Sequence, residues 1–479
     1  MPYPQERASR LGHVPTVLSP AVSAAMRRWD VPALAEPDTK EVLSRCAPLD
    51  SLDHDSRPDC AFAIAFDGSN QEVEVRPAYP SIRVGFFQIA GVYVNIERFL
   101  QSSMTGLIDV RELERSQVTQ TVNSVLPGSN VYVRGASGRE SLRVELDRAF
   151  HEAGITDFGP RFTLTDARLT LHAGPGQKSS FLPLSKCPVC GRPGQSVTAS
   201  GTNCSDALCG VPLYLTDILR IYEEFADDGP NILTLTRAMN IAERLLLVAY
   251  LDGFFRTRAS SLSQGIFITD GPLAVYGPIA PMKSRFRQYW EELCRELDRI
   301  GHAPPLLVGI EKSGRFVDHA NAIRELIPVS SVMMLDTTYV NRHITNQEAS
   351  HFYGKDEFYG RRFFYRTSTG EILVVTVPRI PGGAPYENPV FDDAGVPVLQ
   401  QSELFSSYPT LRATLEVLDR LQTRLYPNAV IPVALAHSAS SLPLGTGRSV
   451  LTLLAQQGLG VPQDSVSLSR FRPPGRGVG

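Results

Sequence analysis

The sequence of 479 residues has no apolar run near the ~20 residues needed to span a bilayer. It also lacks an excess of charge. Its 47 Lys and Arg against 50 Asp and Glu leave a formal net charge of −3, which excludes a global attraction to nucleic acid and leaves such contact to local patches. The opening stretch, MPYPQERASRLGHVPTVL, mixes acid with base and holds no signal-peptide core, so a cytoplasmic location is expected. Cysteine is scarce, 7 in all, and in a reducing compartment a disulfide framework is not expected. No internal repeat is visible. What remains, 43% hydrophobic and 20% charged residues, is the composition of an ordinary globular protein with a sizeable core.

Residues 1–60 are rich in Pro, Ser and Asp and read as an N-terminal extension wrapped on the core, with helical stretches near 18–30 and 38–46. Strands are expected at 61–66, 71–76 and 82–94, as a meander, followed by a helix near 108–124 and another over 141–154. Residues 213–257 read as mostly helical, and GIFITDGPLAVYG as a second apolar strand. Beyond it come a helix at 284–300, a strand at 305–314, a short helix at 318–325 and β structure at 361–378. A Pro/Gly loop at 379–398 then leads to helices at 408–425 and 447–458. Strands alternating with helices after a meander imply an α/β fold around a mixed sheet. Three basic stretches, KSRFR (283–287), RRFFYR (361–366) and the tail SRFRPPGRG (469–477), would suit phosphate contact, and the first two add aromatics for base stacking. Each would equally serve as a solvated charged face.

Four of the cysteines fall close together. Cys187, Cys190, Cys204 and Cys209 follow C-x2-C-x13-C-x4-C, and the turn CPVCG resembles a zinc knuckle. Four thiolates would close the shell of a structural Zn²⁺ in an insert spanning 183–212, whereas the scattered Cys46, Cys60 and Cys294 are expected to be inert.

The acids carry the chemistry. In AFAIAFDGSN (61–70), Phe62, Ile64 and Phe66 alternate with Ala63 and Ala65, so both faces of a strand are apolar, and the strand is expected to end at Asp67 and turn at Gly68. The second apolar strand ends the same way, at Asp270-Gly271. If the two are neighbours in one sheet, their carboxylates emerge at one edge and repel unless a divalent cation sits between them. A third acid is available from Glu243 in NIAERLLLVAY, with Glu97 in VNIERF as its rival. Two strand acids and a helix acid form the arrangement of ribonuclease H-like nucleases, which use two metals to activate water.

Taken in order, DGSN, TDGPLAVYG, VGIEKSG and LYPNAVIPVALAHSAS make residues 60–460 resemble the NurA nucleases of DNA end processing. The extension, the cysteine insert and the basic tail 461–479 lie outside the resemblance. It implies a ribonuclease H-like mixed sheet flanked by helices and a homodimer. It further implies cleavage of DNA with Mn²⁺ or Mg²⁺, as an exonuclease or single-strand endonuclease, beside a HerA-type hexameric ATPase. The biological setting would be DNA end resection and repair or anti-phage defence. By the same resemblance Asp67 and Asp270 match metal-binding acids, Glu243 a helix glutamate, His437 a C-terminal histidine and Tyr426 a nearby tyrosine. Lys312 would steady a phosphate, or else pair with Asp318 at the surface. A reading from another class stays open, a non-catalytic DNA-binding subunit that loads such a motor.

Overall fold

The computed structural model describes residues 11–29, 37–53, 57–76, 80–103, 117–348, 353–379, 381, 390–392, 397–398, 400–422, 430–442 and 446–461. Its centre is a mixed sheet. The strands, in chain order, are β1 (Cys46–Pro48), β2 (Phe62–Arg76), β3 (Ile82–Asn95), β4 (Gln117–Pro127), β5 (Gly265–Asp270), β6 (Leu306–Glu311), β7 (Ser331–Met334), β8 (Arg361–Arg366) and β9 (Ile372–Val377). They lie side by side as β1-β7-β8-β9-β6-β5-β2-β3-β4. β5 runs parallel to both β2 and β6, and every other pairing is antiparallel.

Helices cover both faces: α1 (Ile96–Ser103), α2 (Gly138–Glu152), α3 (Leu164–Ala173), α4 (Ile232–Leu262), α5 (Lys283–Arg299), α6 (Arg315–Ile323), α7 (Leu411–Arg420), α8 (Ile431–Ser440) and α9 (Thr446–Leu459). Successive side chains of a strand point to opposite faces. Phe62, Ile64 and Phe66 therefore join the core under α4, whereas Ala63 and Ala65 join Ile266 and Ile268 in the core under α7 and α8. The small alanines allow the latter helices close approach.

Several expectations are corrected here. β2 does not stop at Asp67 but runs unbroken to Arg76, because its antiparallel partner continues beside it, with Asp67 opposite Ala90 and Gly68 opposite Ile89. Only the parallel neighbour β5 ends at that level, with Thr269 opposite Phe66. The helix expected at 108–124 is instead strand β4 from Gln117 onward, and 108–116 lie outside the described residues. The N-terminal extension does more than wrap the core, since β1 adds an edge strand by pairing with β7. Aromatics of the basic stretches are core residues: Phe286 stacks on Tyr359 at 5.4 Å, and Phe363, Phe364 and Tyr365 are fully buried. The tail 469–477 lies outside the described residues. Among the described residues no helix is long and apolar enough to cross a membrane.

After Asp270 the chain folds back across β6. Gly271, at φ +82°, donates its N–H to Ile310 O at 2.7 Å. The crossing leaves no room on Gly309, where a Cβ would stand 2.5 Å from Gly271 O and 2.8 Å from Leu273 N. Backbone cannot step aside as a flexible side chain can. Gly309→Ala should therefore lower unfolding stability by about 1–3 kcal/mol, as read by urea denaturation; an unchanged midpoint would show that the crossing is looser than described.

Candidate active site

Strand parity decides which side chains meet. Asp67 lies two residues beyond Ala65 and Asp270 two beyond Ile268, so both carboxylates project on the α8 face, where β5 ends. The helix α8 delivers the third group. Its C-terminal end is tied to the meander by Gln88 Nε2, which donates to Ala439 O at 2.6 Å, by the Ser69 hydroxyl donating to Ser440 O, and by Leu442 N–H donating to Ser69 Oγ at 2.8 Å. Held so, His437 places Nδ1 2.8 Å from Asp67 Oδ2, with 61% of its side chain exposed. One ligand atom from each of Asp67, Asp270 and His437 lies within 4.8 Å of the other two.

These residues open into a cleft of about 820 Å³ whose walls include Asn240, Glu243, Pro272, Glu311, Lys312 and Ser438. Lys312 Nζ contacts Asp270 Oδ2 at 2.9 Å, so its partner is Asp270 and not Asp318. Asp67 is 4% exposed, and burial followed by repulsion from Asp270 pushes its carboxyl up to about 6, against the pull of Lys312, His437 and the Gly68 N–H. Gly68 N–H reaches Asp67 Oδ1 at 2.7 Å.

Glu243 reaches the cleft from α4, on the opposite face of the sheet, and is ion-paired with its neighbour Arg244. Burial drives its carboxyl upward in spite of that pairing, and Asp67 and Asp270 add to the push. It lies outside the Asp67–Asp270–His437 group. Glu97 is on the wrong side altogether. It is exposed on α1 after Asn95, which pairs with Phe62 at the far end of β2, and its carboxylate accepts from Gln101. Tyr426 lies outside the described residues.

One wall residue escaped the sequence reading. Glu311, beside Lys312 in VGIEKSG, is 8% exposed and paired with Arg362 of β8, whose guanidinium stands 3.9 Å from the Phe316 ring centroid and 4.1 Å from that of Phe358. An acid at the C-terminal end of an interior parallel strand was the available signal.

The donor set suits a divalent cation. Carboxylate and imidazole are ligands for Mg²⁺ and Mn²⁺, and a second positive charge at Asp67 and Asp270 would relieve the repulsion that raises the Asp67 carboxyl.

The cysteines form a separate cluster. Cys187 and Cys190 lie in the turn between paired strands Phe181–Lys186 and Pro193–Thr198, and Cys204 and Cys209 between Thr202–Asn203 and Pro212–Leu213. The second cysteine of each pair precedes a left-handed glycine, Gly191 at φ +76° and Gly210 at φ +55°. The sulfurs of Cys187 and Cys209 are 4.0 Å apart and those of Cys190 and Cys204 3.6 Å. Zn–S bonds of ~2.3 Å in a tetrahedron would place sulfurs about 3.8 Å apart, so the four thiols fit that ion.

No family model matches this chain, and no curated protein matches it. Among solved structures it is similar to the NurA nuclease from Sulfolobus solfataricus at 9% identity and a TM-score of 0.33, over 95% of this chain and 97% of that one. A structure of NurA bound to dAMP and manganese aligns at 11% identity and a TM-score of 0.28, over 96% of this chain and 98% of that one. With scores this low, the site is read from its own residues.

The raised Asp67 carboxyl has a consequence for stability. An acid whose folded pKa, here about 6, exceeds its unfolded value of about 3.9 loses stability on ionising, so the cost is absent below about pH 4 and grows through pH 6. Without divalent metal, Asp67→Asn should stabilise the protein at pH 7.5 by an amount on the order of 2 kcal/mol, and the gain should vanish near pH 4. Added Mn²⁺ should raise the unfolding temperature of the wild type but not of the variant. A variant less stable than the wild type at pH 7.5 would overturn this account.

Proposed function

We propose that this protein is a divalent-metal-dependent DNA nuclease of the ribonuclease H-like kind. The observation that carries the reading is the approach of Asp67, Asp270 and His437 to within 4.8 Å, from two adjacent parallel strands and a helix, in an open cleft. A meander β2-β3-β4 whose first strand pairs with β5, followed by parallel β6, supplies the order that this reading requires. Asp67, Asp270 and His437 would hold Mn²⁺ or Mg²⁺, with Glu243 available from the opposite wall; the ion supplies Lewis-acid stabilisation of charge on the phosphate.

The remaining steps belong to the side chains. Lys312 beside Asp270 attracts a phosphate oxygen into the cleft. Where the ionised Asp67 carboxylate accepts from Nδ1–H of His437, Nε2 of the exposed ring is left as an acceptor, able to bind the ion or to take up a proton and pass it to the leaving oxygen. Glu311 stays committed to Arg362 and shapes the wall. The sequence motifs extend the proposal to a homodimer acting with a HerA-type hexameric translocase, in end processing and repair or in anti-phage defence. They support treating residues 61–460 as the nuclease unit, with 183–212 as a zinc-binding insert between the 1–60 extension and the basic tail.

Purified protein with Mn²⁺ should degrade labelled DNA. Asp67→Asn and Asp270→Asn should each slow this on the order of 10³-fold while leaving DNA binding in place, Glu243→Gln should slow it strongly, and Glu97→Gln should not. Near-normal cleavage by either Asp variant would sink the nuclease reading and favour a loading subunit.

The four-cysteine cluster is proposed to hold one structural Zn²⁺ per chain. Replacing Cys187 and Cys190 by Ser should release it and lower the unfolding temperature, because the free energy of metal binding is folding free energy. Native protein without zinc by elemental analysis would refute this.

A further inference from the structure

Away from the cleft, a buried cation, Arg168, has no counter-charge among the described residues. α3 packs against both α4 and α5. Arg168 on α3 is only 4% exposed, and its Nε and Nη1 have no hydrogen-bond partner among the described residues. Thr165 and His172 share its helix face at i−3 and i+4, and the Thr165 hydroxyl is likewise buried without a partner. The charged groups that act on this site have the wrong sign to help. Burial and then Arg285, in the first turn of α5, lower Arg168 to about 10; burial, Arg285 and Arg168 lower His172, and no carboxylate offsets either effect.

Arg285 belongs to the basic stretch 283–287, and it differs from its neighbours there. Lys283 stands 4.0 Å from Asp356 and Arg287 3.6 Å from Glu291, whereas the partly exposed Arg285 has, among the described residues, the neutral Gln288 as its hydrogen-bond partner, at 3.2 Å. A buried guanidinium is rarely left unpaired, since its desolvation is then uncompensated. Donors without acceptors on α3, under the field of a second cation on α5, ask for a ligand that brings oxygens and negative charge.

We propose that Arg168, with Arg285 and His172 at its rim, binds a phosphate group. The planar guanidinium fork matches phosphate oxygens in pairs. That group would come either from the backbone of DNA held for cleavage, which rests on the nuclease reading above, or from free phosphate or a mononucleotide, which does not.

Thermal unfolding without added divalent metal tests the site. Wild-type protein should unfold at a higher temperature in millimolar inorganic phosphate than in chloride of equal ionic strength. Arg168→Met should abolish that difference and, in chloride, unfold above the wild type, because apolar volume replaces an uncompensated charge. Arg285→Gln, on a partly exposed residue, should weaken apparent phosphate affinity by about tenfold. In fluorescence anisotropy with a DNA oligonucleotide, Arg285→Gln should reduce the slope of log affinity against log salt by about 1 if the backbone is the source. An unchanged slope beside weakened phosphate affinity in Arg285→Gln would assign the site to free phosphate or a mononucleotide. The proposal is overturned if phosphate stabilises the wild type no more than chloride, if Arg168→Met keeps the phosphate response, or if Arg168→Met is less stable than the wild type in chloride. None of these readouts uses cleavage, so a chain that binds phosphate here and cuts no DNA would refute the nuclease and spare this site.

Discussion

The molecule is organised around two carboxylates that repel. Asp67 and Asp270 are fixed on the same face and at the same level by parallel pairing of β2 with β5, a constraint that neither side chain can escape by rotation. A register slip of one residue would send one of them to the α4 face. The fold offsets the repulsion with one positive or polarisable group each, His437 for Asp67 and Lys312 for Asp270, both from elements that approach the same edge. The offset is incomplete, since the Asp67 carboxyl stays well above its ordinary range.

On the opposite face each acid has a guanidinium partner of its own. Glu311 has Arg362 and Glu243 has Arg244, each pair buried between packed layers. Arg244 is further anchored by donating to Pro272 O at 3.2 Å, in the segment that follows Asp270. Removing one partner from such a pair leaves a buried charge alone and is strongly destabilising. The cleft therefore has a committed wall and an uncommitted one, and ligand chemistry belongs to the uncommitted side. Glu243 stands at the boundary: it faces the cleft, but binding a cation would require it to loosen its hold on Arg244.

The alternation in residues 61–66 was legible in the sequence, and with it the face assignment that brings Asp67 to Asp270. Where β2 ends was not. An Asp-Gly pair reads as a turn, yet Gly68 lies within the strand and is useful for lacking a side chain, since a Cβ there would stand 2.9 Å from Met239 Cγ. In β4, Val118, Val122 and Leu126 recur every fourth residue, a spacing common to one helix face and one strand face, so spacing alone does not separate the two. α8, the element that brings His437, has Pro432 in its first turn and an apolar run with no clear polar face, so periodicity does not mark it. The role of RRFFYR was misread for a different reason. Whether Arg361 and Arg362 face solvent or a buried acid depends on Glu403 and Glu311, which are remote in sequence.

The meander's extra length gives the site its shape. Past Phe66, β2 loses β5 as a neighbour but keeps β3, and β3 keeps β4, so a three-stranded ribbon projects beyond the edge where the parallel strands stop. α9 packs on this extension, with Gln456 Nε2 donating to Val75 O at 3.0 Å, and α8 crosses it at Ser69 and Gln88. Had β2 turned at Gly68, α8 would have lost the contacts that hold its C-terminal turn, and His437 its place beside Asp67. The carboxylates are set by the parallel core of the sheet, but their imidazole partner is set by the antiparallel ribbon. A site assembled from both keeps its geometry only while the two parts of the sheet remain one continuous strand, and Asp67-Gly68 is the point where they join.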